Sequence, residues 1–237
     1  MKPPQPKKIP KIHTAHGDER IDDYYWLRDD TRKNPEVISY LEAENKYLES
    51  WFKNKNDCRK EIYDELVSLI PPHEVSMKVK YGDYYYFSEI SSNQQYKTYY
   101  REIDGNKELV LDVNELAKDL DYFNVASITP SPNNHYIAYA EDLSGRREYN
   151  IKIKNLETGQ IIDESIQRSS GSVVWNKNND TIYYALKDPV TLIENKVFKH
   201  KVGTDTKEDI LIYEEKDTEF HLHIFESRTK KYLYIYS

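Results

Sequence analysis

The stretch NHYIAYAED, residues 134–142, is a polar turn followed by an aromatic strand, and close variants of it recur along the chain. The other copies are GDYYYFSEI (82–90), DTIYYALKD (180–188) and KKYLYIYS (230–237). Their first residues lie 46 to 52 positions apart, and a regular period of this size is the mark of a repeat architecture. Because tyrosine, with 22 copies in the chain, favours pleated and half-buried surfaces, the repeats are predicted to be β-strands.

Three further series of strands run in phase with the first, so each repeat holds four strands. One series precedes it, with NVASITPSP (124–132) and GSVVWNKNN (171–179), and two follow it, with members such as EYNIKIKNL (148–156) and DILIYEE (209–215). Four strands in about 45 to 50 residues are typical of a β-propeller blade. A β-sandwich of unrelated strands is the alternative, but it gives no reason for series that stay in phase. The predicted fold class is mainly β, a partial β-propeller of about three and a half blades.

The predicted domains are an α-helical N-terminal extension, 1–73, and the partial propeller, 74–237. Blades are expected at about 74–121, 122–167 and 168–216, with an incomplete fourth blade at 217–237. Since propellers have at least four blades, a sequence that stops inside an aromatic strand is expected to be an incomplete ring.

Two amphipathic helices are predicted in the extension. The first begins with Asn34 as N-cap and Pro35 at the first helical position, and its apolar residues recur at helical spacing through Phe52. The second runs from about residue 57 to 69 and is stopped by the prolines at 71 and 72.

The composition excludes several functional classes. The formal net charge of −7, without a run of Lys and Arg, argues against nucleic-acid binding, and 32% charged residues exclude a membrane-spanning protein. The single cysteine, Cys58, allows neither an internal disulfide nor a cysteine-rich zinc site. The N-terminus MKPPQPKKIPKIHTAHGD has no apolar core of a secretory signal, so the cytoplasm is the expected location.

Sequence motifs for catalysis and cofactor binding are absent from the chain. It has no Gly-x-Ser-x-Gly nucleophile elbow, no phosphate-binding loop, no dinucleotide fingerprint and no His-Glu-x-x-His. His221 and His223 would share one face of a strand, but no third metal ligand is evident nearby, so a packed or solvated pair is the preferred interpretation. No cofactor and no metal are implied.

The loop EDLSGRREYN, residues 141–150, allows two interpretations. Arg146 and Arg147 could close the hairpin tip through a local salt bridge to Glu141 or Asp142. Alternatively, the arginines could reach a carboxylate on another domain, because arginine is preferred in bidentate interface pairs.

Several motifs, in order and at matching intervals, carry a resemblance to a known family. HGDERIDDYYWLRDDTRKNPEVISYLEAEN (16–45), IPPHEVSMKV (70–79), AEDLSGRREYNIKIKNLETG (140–159), DPVTLIENKVFKHKVGT (188–204) and LIYEEKD (211–217) resemble the N-terminal third of oligopeptidase B, in the prolyl oligopeptidase family of serine peptidases. The resemblance implies a seven-bladed propeller and an α/β-hydrolase domain that carries a Ser, Asp and His triad and cleaves short peptides after Arg or Lys. No catalytic residue can be carried over onto this chain, which is therefore expected to be inactive alone.

The resemblance also implies contacts with the hydrolase domain. The loops at 144–147 and 188–195 are expected to face it, which makes Arg146, Arg147 and Asp142 candidate interdomain contacts. In the DDYYWLRDD motif (22–30), Trp26 is expected to pack on the same domain. Two alternatives remain open: a stand-alone propeller that acts as a binding module, and one half of a split peptidase whose complementary C-terminal chain is encoded separately.

Overall fold

The contacts within the chain divide it into two units, one that ends at Pro71 and one that begins at Pro72. The structure is a computed structural model that describes residues 2–237. Within these residues no helix is both long and apolar enough to cross a membrane.

The first unit contains a hairpin and two helices. Their bounds are β1 (Lys11–Ala15), β2 (Asp18–Asp22), a 3₁₀ turn (Tyr25–Leu27), α1 (Pro35–Phe52), a second 3₁₀ turn (Lys53–Lys55) and α2 (Asn56–Ser68). Both predicted helices are confirmed, and the side chain of Asn34 accepts a hydrogen bond from the backbone N–H of Glu36 at 3.0 Å, as an N-cap should. The hairpin was not predicted. His16 and Gly17 turn it, both at positive φ, as two-residue hairpin turns require.

The second unit consists of antiparallel strands that follow one another in chain order. The first sheet contains β3 (His73–Val75), β4 (Val79–Tyr81), β5 (Tyr84–Ser91), β6 (Thr98–Ile103) and β7 (Asn106–Asp112), and a short helix α3 (Val113–Leu116) follows it. The second contains β8 (Asn124–Pro130), β9 (Tyr136–Asp142), β10 (Tyr149–Asn155), β11 (Ile161–Trp175), β12 (Thr181–Lys187), β13 (Glu194–Lys201) and β14 (Ile210–Glu214). The hairpin of β15 (His223–Glu226) and β16 (Leu233–Tyr236) ends the chain. This succession confirms the mainly β fold class; the blade boundaries stay a prediction.

The long strand β11 belongs to two consecutive repeats. Its first part pairs with β10 as far as Ser169, and its second part pairs with β12 from Ser169 onward. The direction changes next to this point, where Arg168 and Gly171 have positive φ. A Cβ on Gly171 would lie 3.0 to 3.2 Å from the ring of Tyr149 and the Cβ of Ala126, so glycine fits both the backbone conformation and the close approach.

The turns before the four aromatic strands share one conformation. Gly82, Asn134, Asn179 and Lys230 all have φ near +60°. The turns also contact their neighbours: the side-chain oxygen of Asn179 accepts a hydrogen bond from the backbone N–H of Asn133 at 2.9 Å. The repeat seen in the sequence therefore corresponds to a repeated turn geometry that links one repeat to the next.

The core lies within and between the sheets of the second unit. The clusters are formed by Ala138, Ala140, Tyr149, Ile151, Ile153, Ile166, Val173, Trp175, Ile182 and Tyr184; by Val110, Leu111, Val113, Phe123, Ile137 and Tyr139; and by Val174, Val197, Leu222 and Ile224. The second cluster joins the first sheet to β8 and β9, and the third joins β11 and β13 to the final hairpin. Apolar packing between successive repeats is how a propeller without a closed ring still forms a core.

Candidate functional site

The loop between β9 and β10 is built around the carboxylate of Asp142. One oxygen accepts from the backbone N–H of Ser144 at 2.8 Å, from the Ser144 hydroxyl at 2.9 Å and from the backbone N–H of Gly145 at 3.0 Å, while the other accepts from the N–H of Arg147 at 2.7 Å. Asp142 is completely buried, and burial alone would raise its pKa, but these hydrogen bonds outweigh burial and hold the pKa below its ordinary value. The carboxylate thus fixes the shape of the loop from inside.

The two arginines of this loop are free of the local salt bridge that the sequence allowed. Among the ion pairs of residues 2–237, none joins Arg146 or Arg147 to Glu141 or Asp142, and Glu141 pairs instead with Lys152 at 2.9 Å. Arg147 is exposed, whereas Arg146 is half-buried and its Nε has no hydrogen-bond partner within the described chain. The hairpin tip is closed by the backbone N–H groups of Ser144, Gly145 and Arg147, which donate to the Asp142 carboxylate, and not by the guanidinium groups.

A second loop, between β12 and β13, has the same construction and touches the first. Asp188 accepts from the backbone N–H groups of Thr191 at 2.8 Å and Val190 at 2.9 Å, and these bonds lower its pKa. The Nζ of Lys187 donates to the carbonyl of Arg147 at 2.7 Å. Asp142 and Asp188 are 46 residues apart, so a search for aspartates at one repeat position would have found this pair from the sequence.

Glu194, at the start of β13, adds an ionisable group next to this loop. Its Oε2 is buried without a hydrogen bond, and Nδ1 of His223 lies 3.5 Å from it. Burial raises the pKa of Glu194 above its ordinary value. His221 and His223 are both exposed and flank the buried Leu222, which agrees with the predicted shared face, and no group of three His, Cys, Asp or Glu in the described part of the chain could hold a metal ion.

Trp26 lies in the first unit, in the 3₁₀ turn after the hairpin. Its Nε1 donates to the carbonyl of Lys7 at 2.9 Å, and its ring meets that of Tyr40 edge-on with 6.1 Å between centroids. Asp29, three residues later, accepts from the backbone N–H groups of Asn34 and Lys33 at 2.7 Å, and hydrogen bonds led by that of Asn34 lower the pKa of Asp29 to about 2. Trp26 is thus half-buried within its own unit.

The helices of the first unit carry a broad exposed apolar surface. Its members are Ile38, Leu41, Leu48 and Trp51 on α1 and Ile62, Tyr63, Leu66, Val67, Leu69 and Ile70 on or just after α2, each at least 40% exposed. Both helices thus expose many large apolar side chains, and exposed apolar residues mark an interaction site where they form one patch.

Comparisons with known proteins agree with this architecture. The family model for the prolyl oligopeptidase N-terminal β-propeller domain matches residues 3–237. The chain is 37% identical to Protease 2 of Moraxella lacunata, with 100% of this chain and 35% of the relative covered, and 34% identical to dipeptidyl aminopeptidase BI of Pseudoxanthomonas mexicana, with 98% and 35% covered. Oligopeptidase B from Leishmania major has a similar structure, with a TM-score of 0.91, 29% identity and 99% of this chain and 36% of that chain covered.

The chain spans about a third of the length of these relatives. The match of the family model extends over both units and every strand described above. The chain therefore belongs to the prolyl oligopeptidase family, of which it contains the N-terminal β-propeller portion.

Proposed function

We propose that this chain provides the N-terminal extension and part of the propeller of an oligopeptidase B-like serine peptidase, which cleaves short peptides after Arg or Lys in the cytoplasm. The similarity of the whole chain to the N-terminal third of peptidases, with oligopeptidase B from Leishmania major among the similar structures, supports this proposal. The sequence contains no nucleophile elbow, so the reactive serine and its oxyanion donors would come from residues outside this chain.

The direct test is an activity measurement on the purified chain with an Arg-Arg amide substrate. We expect no hydrolysis above the buffer rate, because the chain lacks an activated nucleophile. A complete relative that carries the catalytic domain serves as the positive control. Activity that follows the protein through purification would contradict the proposal.

We propose that the surface of the loops after β9 and β12 binds the catalytic domain, with Arg146 and Arg147 as direct contacts. The partnerless Nε of Arg146 and the exposed position of Arg147 support this role, because a guanidinium group fits a carboxylate of the partner. Asp142 would act through the shape of the loop, since its own oxygens are already occupied. Trp26, with the apolar surface of α1 and α2, is proposed to pack on the same domain.

These contacts are tested by binding of the chain to a separately produced catalytic part. Arg146→Met should raise the Kd severalfold, and higher salt should reduce the difference between the variant and the original chain. Arg228→Met is the matched control, because Arg228 lies in the exposed turn before β16. Equal effects of both variants would refute an interface role for Arg146.

The split-peptidase alternative is favoured by one observation, the final hairpin. β15 and β16 pair only with each other within residues 2–237, and Tyr234 and Tyr236 of β16 are 48% and 64% exposed. A complementary C-terminal chain would add the next strand at this edge. A gain of peptidase activity on mixing the two chains would support this alternative, and its absence in a mixture that forms a complex would oppose it.

A further inference from the structure

Three charged or ionisable side chains meet in the interior of the second unit, and none of them belongs to the loops described above. Nε2 of His200 lies 2.7 Å from a carboxylate oxygen of Asp163, and Nδ1 lies 2.7 Å from a carboxylate oxygen of Asp209. The side chains of His200, Asp163 and Asp209 are only 0%, 4% and 2% exposed. We refer to these three residues as the His200 cluster.

The geometry determines the charge of the imidazole. A neutral histidine carries one N–H and can donate to one carboxylate only, so both contacts are hydrogen bonds only when both ring nitrogens are protonated. A neutral ring would leave a lone pair facing a buried carboxylate. With both carboxylates ionised, the His200 cluster therefore contains an imidazolium ion between them.

The second oxygen of each carboxylate also accepts a hydrogen bond. Asp163 accepts from the backbone N–H of Gly203 at 2.6 Å and, with its other oxygen, from the backbone N–H of Ser165 at 3.0 Å and the Ser165 hydroxyl at 2.7 Å. Asp209 accepts from the hydroxyl of Tyr184 at 2.8 Å. The titratable groups that face His200 are thus Asp163 from β11, Asp209 from the turn before β14 and, through Asp209, Tyr184 from β12.

The cluster joins two repeats. Asp163 lies on the first part of β11, where it pairs with Ile153 of β10. His200 lies on β13 and pairs with Ile182 of β12, beyond the point where β11 changes partner. A hydrogen bond from His200 to Asp163 therefore connects the first part of β11, which pairs with the earlier repeat, to β13 of the next repeat.

We propose that the His200 cluster is a pH-dependent clamp between these two repeats, closed while His200 is charged and released when His200 loses its proton. This role does not depend on the peptidase function proposed above. Release would leave two buried carboxylates without the positive charge that compensates them, which is strongly unfavourable.

The sign of the pH dependence follows from the two kinds of group. Burial lowers the pKa of His200, but its hydrogen bonds to Asp163 and Asp209 outweigh burial and raise it. Stability from His200 is therefore complete below its unfolded value of about 6.5 and is lost as pH rises through the folded pKa. Asp163 has the opposite pH dependence: burial raises its pKa, but the hydrogen bonds from His200, Gly203 and Ser165 outweigh burial and lower it. Its contribution is lost as pH falls below about 4.

Equilibrium unfolding of the full chain between pH 6 and pH 10 tests the clamp. Above about pH 6.5 the unfolding constant should rise by up to about tenfold per pH unit, because the folded state retains one proton that the unfolded state has released. His200→Gln should remove this rise. His135→Gln, at an exposed histidine 3.2 Å from Glu157, should leave it unchanged.

A second measurement applies even if His200→Gln does not fold. Nitrogen NMR of the imidazole at pH 8 in the original chain should give the pattern of a doubly protonated ring for His200. Amide exchange at Gly203 should accelerate once His200 deprotonates. A neutral His200 at pH 8, or a pH profile that His200→Gln leaves unchanged, would overturn the proposal.

Discussion

The two units of the chain differ in how far their apolar residues are buried. Among the buried hydrophobic residues of 2–237, Val37 is the only one that precedes Pro72, although α1 and α2 are rich in Ile, Leu and aromatic residues. In the strands, residues such as Ile137, Ile153 and Ile182 are at most 1% exposed. The apolar residues of the sheets thus pack within the chain, whereas many of those on the helices are exposed to solvent. The difference agrees with the proposed packing of the helical unit on the catalytic domain.

The test of this comparison with the largest expected effect replaces one isoleucine by alanine in each unit. Ile153→Ala should lower the free energy of unfolding by about 2 to 5 kcal/mol, because it leaves a cavity in a close-packed core. Ile62→Ala on α2, where the side chain is 53% exposed, should change it by less than about 0.5 kcal/mol. Urea unfolding followed by circular dichroism measures both. Equal losses would mean that the helical surface is covered.

A pair of arginines extends the comparison to charge. The Nε of Arg101 donates to Glu108 at 2.7 Å, its guanidinium also donates to the carbonyl of Asn134, and its side chain is 7% exposed. Arg101→Met should cost about 1.5 to 3 kcal/mol, because hydrogen bonds to and from charged groups are lost and a buried carbonyl is left without its donor. Arg28→Met in the first unit removes an exposed pair with Asp30 and should leave the denaturation midpoint unchanged. The reverse order of effects would contradict the comparison.

Asp142 and Asp29 have the same structural role but differ in burial. Asp142 and Asp29 each hold a loop by accepting backbone N–H groups, but Asp142 is buried and Asp29 is solvated. Asp142→Asn turns an amide N–H₂ toward the N–H groups and should cost about 1 to 3 kcal/mol. Asp29→Asn should cost less. Since both pKa values are lowered in the folded state, each contribution is present above about pH 4 and is lost as pH falls, for Asp29 down to about 2. A stability profile that stays flat from pH 5 to pH 2 would refute this.

The smallest expected effect concerns the repeated turn. Lys230 occupies the left-handed conformation that Gly82 adopts without strain in the first repeat. Lys230→Gly should raise the free energy of unfolding by at most about 1 kcal/mol, seen as a small increase in Tm. Lys231→Gly, next to it and outside the left-handed region, should lower Tm. A loss of stability in both variants would show that the conformation of the turn does not matter.

The sequence predicted those features that rest on local pattern. The aromatic strands alternate with turns, and Asn34 with Pro35 fixes the start of α1. The hairpin of β1 and β2 was not predicted, because its strands, KIHTA and DERID, are exposed on both faces and have no alternation of apolar and polar residues.

Features that depend on distant residues could not be predicted. The salt bridge expected as one alternative for Arg146 was replaced by backbone hydrogen bonds to Asp142, a choice that depends on how deeply Asp142 is buried. The His200 cluster requires residues 37 and 9 positions apart to meet across three strands, and periodicity gives no sign of it.

The continuity of β11 has a consequence for the order in which the chain folds during synthesis. The first part of β11, residues 161–169, pairs with β10 and is synthesised before the second part, residues 173–175, which pairs with β12. The earlier repeat can complete its hydrogen bonding while the later one is still being made, at the rate of about 5 to 20 residues per second typical of translation. Each finished repeat then offers a preformed surface to the next, so assembly proceeds in one direction along the polypeptide and needs no search among equivalent strands.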